Sequence, residues 1–376
     1  MVSLARSILI HEWRRFLPAI LAVAFSALLV VVQLGLLLGL FGAVSVYITQ
    51  SSADLWVGFP DTQSVDQPHT INANIEDQLL MNPHVKKVER LTWTTGNWRR
   101  PTGGQISAVI IGISLYPNSM TFAHLLTPQN RLLLDTPGNI LVDISDLHKL
   151  GVKVGDTAEL NGKKVRVAGT VNGMRSMGGV NILSSLYTAR TLDPSLISGN
   201  NLDYFLVKLK NSAQANLVRN QLQPKNQRKR FQVWTANNFA QQSVNYWLFE
   251  SGVGVGFLFS SALGFIVGIV ITGQTLRAAV IAAQREYATL RAMGISPGTL
   301  RRVILEQSFW IGIIGLLVTT IIVVLVSVIT KMVYVSFTLP VGAMISIYVM
   351  IILITLFSGL TSLRSLNRAE PFTLLR

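Results

Sequence analysis

Side-chain chemistry needs nucleophiles, acids, bases or metal ligands at workable spacings, and this sequence offers few of them. It contains no Cys, which excludes a thiol nucleophile, a zinc knuckle, a thiolate-held cluster and a disulfide framework. His69, His84, His124 and His148 are scattered, with no HExxH, GxSxG or EF-hand loop around them, so each reads as a surface or loop residue. No GxxxxGK[ST] phosphate loop is present either. Trp93 and Trp98 beside Arg99 and Arg100 suit stacking on a ligand or packing within a strand. The Arg228, Lys229, Arg230 cluster suits a solvated turn or an acidic partner, and Met174, Met177, Gly178 and Gly179 lie in a segment that reads as a mobile loop open to docking. The densest constellation is Arg285, Glu286, Leu290, Arg291, Met293, Gly294, Ile295, Ser296 and Pro297. Its chemistry is that of a charged, shaped contact rather than catalysis.

The elements that carry these residues follow from hydropathy. Half of the 376 residues are hydrophobic and only 13% are charged, a membrane composition that rules out fibrous and disordered classes. Four uncharged apolar runs are long enough to span a bilayer: 16–48, 251–276, 307–330 and 338–363. The first is too long for the bilayer core, so its far end should stand clear as a stalk. It also continues well past the small residues Ala22, Ala24 and Ala27, which favours an uncleaved anchor over a signal peptide. Upstream, Val2, Ala5, Leu9, Trp13 and Phe16 form a stripe expected to lie on the inner membrane surface.

Sorting the basic residues sets the orientation. The formal charge of +14 divides into +7 on the side of the N-terminus, the 277–306 loop and the C-terminus, +6 in residues 49–250, and +1 at Lys331. All basic residues of the first group are Arg. By the positive-inside rule that side is cytoplasmic, and residues 49–250 lie outside. A net charge of +14 would by itself also fit nucleic-acid binding, but sorted in this way the excess reports topology instead.

None of the spans holds an ionisable residue in its apolar body, which argues against an ion-coupled transporter and an intramembrane protease. Gly35 and Gly39, then Gly264 and Gly268, stand four apart, a spacing that brings helices together within the chain or across a dimer.

These readings give a polytopic α-helical membrane protein with four membrane helices (one plus three) and a large α+β extracytoplasmic domain between the first and second. The expected order is 1–15 a cytoplasmic amphipathic helix, 16–52 the first membrane helix and stalk, and 53–247 the outer domain, in two lobes. Then come the second membrane helix at 248–276, a cytoplasmic elbow at 277–306, helices at 307–330 and 338–363, and a tail at 364–376. In the outer domain, Asn161 and Gly162 between TAEL and KKVRVAGT predict a type I′ hairpin. In the elbow, Gly294 is placed to stop one helix and Ser296 to cap another beginning at Pro297. A plain loop whose arginines only obey the positive-inside rule remains the alternative to a coupling element.

REYATLRAMGIS resembles the "RxxEIGxLKAxGA" segment of the FtsX-like, MacB-type permeases of ABC transporters, with Glu286, Leu290, Ala292 and Gly294 on the matching positions. Glu306 resembles the acidic residue early in that family's third membrane helix, and RAEPFTLLR is similar to its "xxxPxEALR" ending, with Thr373 in place of the acidic residue. LHKLGVKVGDTAELNGKKVRVAGTV, Leu147 to Val171, resembles the family's strand pattern, and Ala53 to Asp66 looks most like cyanobacterial DevC-type exporter permeases. The resemblance implies a homodimeric permease in the inner (plasma) membrane that binds no cofactor itself, with ATP and Mg on a separate ABC ATPase subunit. It further implies a periplasmic adaptor and an outer-membrane channel in a tripartite exporter of glycolipids or other amphiphiles, driven by mechanotransmission through the elbow and the long first two helices. Two relatives within the family offer other readings: an FtsX-like activator of cell-wall hydrolases, and a lipoprotein-releasing permease.

Overall fold

The computed structural model describes residues 9–175, 179–194, 200–224, 230–282, 289, 296–332 and 337–367. They divide into two compact units, Met1–Gly39 with Gly254–Arg376, and Leu40–Val253.

Among the described residues, four long helices are apolar enough to cross a membrane: α1 (Trp13–Thr49), and, after the outer domain, helices Val253–Ala282, Pro297–Met332 and Val341–Asn367. α1 is one uninterrupted helix of 37 residues, with Pro18 inside it. In the first unit its apolar side packs on the third and fourth helices through Phe16, Ile20, Val23, Ala27 and Val31 against Ile311, Leu316, Val323, Ile347 and Ile351. Leu9 and Phe16 of the predicted surface stripe are buried in this core, while Trp13 is exposed; Val2 and Ala5 lie outside the described residues. Leu9 and Phe16 are thus packed against protein.

The second unit is built on the strands and helices β1 (Leu55–Gly58), β2 (Ile71–Asn72), α2 (Ile75–Leu80), β3 (Val85–Arg99), β4 (Gln105–Ile113), α3 (Pro128–Asp135), β5 (Asn139–Asp143) and α4 (Leu147–Leu150). It continues with β6 (Thr157–Leu160), β7 (Lys163–Val171), β8 (Val180–Ser185), α5 (Leu186–Leu192), β9 (Asn201–Leu202), β10 (Tyr204–Leu209), α6 (Ala215–Leu222), β11 (Gln232–Thr235) and α7 (Ala236–Asn245). The three later membrane helices are α8, α9 and α10 in chain order.

Two lobes share one nine-stranded sheet, ordered β11-β1-β10-β3-β4-β8-β5-β7-β6, with β3 also pairing β6. β11, β1, β10 and the first half of β3 pair antiparallel. With α2 and α6 as the crossovers, this is the ferredoxin-like split β-α-β arrangement. Strand alternation gives it two apolar faces: Leu55, Val57, Phe205, Val207 and Val233 pack under α2 and α6, while Trp56, Tyr204, Leu206 and Trp234 face the other way onto Phe239 of α7.

The second lobe is a six-stranded barrel. β3 continues past Leu91 to pair with β4 as far as Arg99, and the ring closes where Trp98 and Arg99 pair with Leu160 and Glu159. Alternation again sorts the side chains. Trp98, Ala108, Ile110, Ile140, Val142, Val165, Val167, Val180 and Ile182 fill the interior, whereas Val109, Ile111, Leu141 and Leu183 point outward into the core shared with α1. The β6–β7 hairpin turns at Asn161 (φ 52°) and Gly162 (φ 74°), both left-handed as a type I′ turn requires.

Candidate functional site

Of the predicted elbow, Arg285, Glu286, Leu290, Arg291, Met293, Gly294 and Ile295 lie outside the described residues. What precedes and follows them is described. α8 runs past its apolar span to Ala282, and α9 begins at Pro297. Ser296 Oγ accepts a hydrogen bond from Thr299 N at 3.3 Å, satisfying one of the helix's free first-turn donors.

Three of the four glycines predicted for helix pairing, Gly35, Gly264 and Gly268, have intrachain neighbours. A Cβ built on Gly35 would lie 2.3 Å from Phe337 Cε2, and Thr338 N donates to the Gly35 carbonyl at 3.1 Å, so the residues before α10 are seated on α1 at this point. A Cβ on Gly268 would lie 2.7 Å from Ser26 Cβ, and one on Gly264 would be 3.7 Å from Leu29 Cβ. Beside them Gln33 Nε2 donates to Ser260 Oγ at 2.9 Å. Gly39 is buried one turn beyond Gly35.

A further close approach, at Gly315, carries no GxxxG pattern. A Cβ on Gly315 would stand 2.7 Å from Val23 Cγ1 and 3.2 Å from the Ile20 carbonyl, so α9 and α1 touch backbone to side chain. One turn on, Thr319 Oγ1 donates across to Ala24 O at 3.1 Å as well as to its own helix.

In the second unit the end of α1 is built into the domain core. Tyr47 is buried, with its ring edge-on to Trp93 at 4.3 Å and to Phe122 at 6.1 Å. Its hydroxyl donates to Asn181 Oδ1 on β8 at 2.9 Å. Asn181 Nδ2 in turn donates to Met174 O at 2.6 Å, and Asp143 Oδ2 accepts from Gly173 N and Met174 N at 3.0 and 2.8 Å. Met174 is therefore fixed in the core rather than free in a loop; Met177 and Gly178 lie outside the described residues. Just past the helix, Ser51 Oγ accepts from Phe122 N at 3.1 Å, Ser52 N donates to Met120 O at 3.0 Å, and His124 N donates to Gln50 O at 3.1 Å. The segment 120–124 is thus strapped to the helix end by hydrogen bonds to three successive residues, two through the backbone and one through the Ser51 hydroxyl.

A buried charge cluster stiffens the same segment. Glu89, on β3, accepts from Ser119 Oγ and Met120 N, each at 2.7 Å, and pairs with Lys87 Nζ at 2.7 Å. The Arg131 guanidinium donates to the carbonyls of Thr121, Ser119 and Ser114. Burial lowers the Arg131 pKa, with the nearby Glu89 charge opposing the shift. At the junction of the lobes Asp203 accepts from Trp93 N at 2.6 Å, and burial pushes its pKa up to about 7, against the hydrogen bond from Trp93 and with the help of Asp193.

The other sequence candidates are structural. Trp93 and Trp98 are core residues, with Trp98 Nε1 donating to Leu150 O at 3.1 Å, and Arg99 pairs with Glu159 at 3.4 Å. His69 rests against Phe59 with ring centroids 5.3 Å apart. Arg228 and Lys229 lie outside the described residues, among which no group of three or more His, Asp and Glu is placed to hold a metal.

A large α/β domain set between the first and second of the four described apolar helices is the architecture of a multi-pass membrane protein, and the family matches make it an ABC-transporter permease. Residues 16–225 match the MacB-like periplasmic core domain and residues 258–371 match the FtsX-like permease C-terminal region, and the chain belongs to this family of FtsX-like permeases. No curated protein sequence matches it. Among solved structures, it is similar to the periplasmic region of MacB from Actinobacillus actinomycetemcomitans, at 16% identity over 52% of this chain and 94% of that one, with a TM-score of 0.33. It is also similar to the extracellular domain of the noncanonic ABC-type transporter YknZ from Gram-positive bacteria, at 15% identity over 49% of this chain and 99% of that one, with a TM-score of 0.33.

Proposed function

We propose that this chain is the permease subunit of an ATP-driven MacB-like (type VII) exporter, relaying the motion of a separate ABC ATPase to its outer domain. The observation that carries the reading is α1: one helix runs from Trp13 to Thr49, packs in the membrane unit at one end, and is buried in the outer-domain core through Tyr47 at the other. Within the outer domain, the end of this helix is joined to β8 through Tyr47 and to the 120–124 segment through Ser51 and Ser52. The Arg-rich side, including the elbow, is the cytoplasmic one on this reading, where it meets the ATPase.

The subunit acts as a homodimer in the inner membrane, with a periplasmic adaptor and an outer-membrane channel completing the path. The absence of ionisable residues from the spans agrees with a cargo taken up outside the membrane or at its outer leaflet. The DevC-like run from Ala53 to Asp66 favours glycolipids or other amphiphiles as that cargo.

The test is purification of the tagged chain from its native membrane after mild crosslinking, with mass spectrometry of what accompanies it. An ABC ATPase with an adaptor, the adaptor crosslinked to the barrel lobe, is the expected result. An ATPase with a cell-wall hydrolase and no adaptor would overturn the export reading, and two different permeases in one complex would point to lipoprotein release.

A further inference from the structure

A cavity of about 620 Å³ opens in the outer domain beside the end of α1, between Ser52, the loop after β4 and helix α3. Its size falls in the range of small-molecule sites, roughly 300–1,000 Å³. Apolar side chains make most of its wall, and two large ones stand exposed at its mouth: Leu132 is 72% exposed and Tyr116 67%, with Lys87 Nζ 5.9 Å from the centre of the Tyr116 ring.

Two further features distinguish this cavity from a chance surface hollow. The loop forming one wall is held in an unfavourable shape, with the non-glycine residues Asn118 (φ 58°) and Phe122 (φ 50°) both left-handed. It is kept there by the buried cluster already described: Glu89 accepts from Ser119 and Met120, Arg131 donates to three of the loop's carbonyls, and Lys87 Nζ donates to Asn118 O at 3.3 Å. A wall built this way does not collapse when empty, which is the condition for a preformed site.

The charges at the cavity select the ligand. Lys87 is paired with Glu89, and the Arg131 guanidinium is committed to the loop carbonyls. Asp135 lies one turn further along α3, is exposed at the cavity edge, and among the described residues makes no ion pair or side-chain hydrogen bond. The uncommitted charge is therefore negative, beside an apolar wall and an exposed aromatic ring. We infer that this cavity binds a small amphiphile with an apolar body and a protonated amine at its polar end, the amine on Asp135 and the body against Leu132 and Tyr116. The inference does not depend on the export reading. Because Ser52 lines the cavity and is bonded to Met120, the occupied site and the end of α1 share a wall.

The test uses the full chain in lipid nanodiscs, labelled with a photoreactive diazirine derivative of decylamine and mapped by mass spectrometry. Labelling should fall within residues 115–135, and decylamine should compete at least tenfold better than decanoate. Leu132→Glu should abolish the labelling, and Asp135→Asn should remove the preference for the amine; both side chains are exposed, so neither change threatens folding. Labelling confined to the membrane helices, or unchanged by Leu132→Glu, would overturn the site. Equal competition by decanoate would overturn the amine head.

Discussion

The hydroxyl of Tyr47 and the amide of Asn181 meet at 2.9 Å although 134 residues separate them in the sequence. One belongs to the last turns of a membrane helix, the other to a central strand of the barrel lobe. Asn181 also holds Met174, whose backbone N–H is bonded to Asp143, so the helix end, β8 and the segment following β7 form one hydrogen-bonded series.

Tyr47→Phe keeps the ring contacts with Trp93 and Phe122 and removes only the hydroxyl. A buried amide oxygen then loses a donor, at a cost of about 1–3 kcal/mol. The expected outcome is a lower melting temperature of the purified chain and weaker stimulation of the partner ATPase, with binding of that ATPase unchanged. Full stimulation alongside a lowered melting temperature would remove Tyr47 from the relay and leave it a structural residue.

Gly315→Leu should be far more damaging than Gly256→Leu. The first forces atoms into Val23 and the Ile20 carbonyl, whereas around Gly256 nothing lies within 4 Å. Overpacking of this kind costs about 1–3 kcal/mol, enough to loosen α9 from α1. Crosslinking between cysteines placed at Val23 and Thr319 reads the separation directly; equal yields in both variants would contradict the packing.

Asp203 makes outer-domain stability depend on pH. With its pKa raised to about 7 from the 3.8 of a free carboxyl, the folded protein holds a proton that the unfolded chain has released. Its contribution is complete below the unfolded value, and is lost as pH rises through about 7; by linkage the span is at most about 4 kcal/mol. Asp203→Asn keeps an oxygen for Trp93 N and cannot ionise. Its melting temperature should decline less between pH 4 and 8 than that of the parent, and parallel curves would show that Asp203 titrates normally.

Glu286→Lys, or Gly294→Val, should uncouple ATP turnover while leaving membrane insertion intact. Co-purification with the ATPase and its stimulated rate are the measurements. Unchanged binding and turnover in both variants would take the elbow out of the mechanism. Ser296→Ala, which removes the cap from Thr299 N, should have a milder effect, on the order of 1 kcal/mol on the start of α9.

The membrane helices were legible because an uncharged run of twenty or more residues has few other fates, and the β6–β7 hairpin because Asn161-Gly162 suits one turn type. The Ser296 cap was legible for the same local reason. Barrel closure was not: it rests on Trp98 and Arg99 meeting Leu160 and Glu159, about sixty residues away, and no local pattern in either strand encodes the other. Gly315 escaped notice because only one glycine is needed where Val23 intrudes, so no repeat marks it. Tyr47 and Glu89 each look unremarkable beside their sequence neighbours, and their roles come from Asn181 and from the Ser119–Thr121 backbone. Tertiary structure supplied that information.

The ferredoxin-like lobe hands the chain over to the barrel at Leu91 and takes it back at Tyr204, and these two residues are direct cross-strand partners. An insertion whose ends are adjacent imposes no geometric demand on its host. The barrel can therefore be enlarged, trimmed or exchanged over evolution while the four strands that complete the first lobe keep their register. On the reading proposed above, what the barrel lobe recognises can then change without altering how the rest of the chain meets its ATPase.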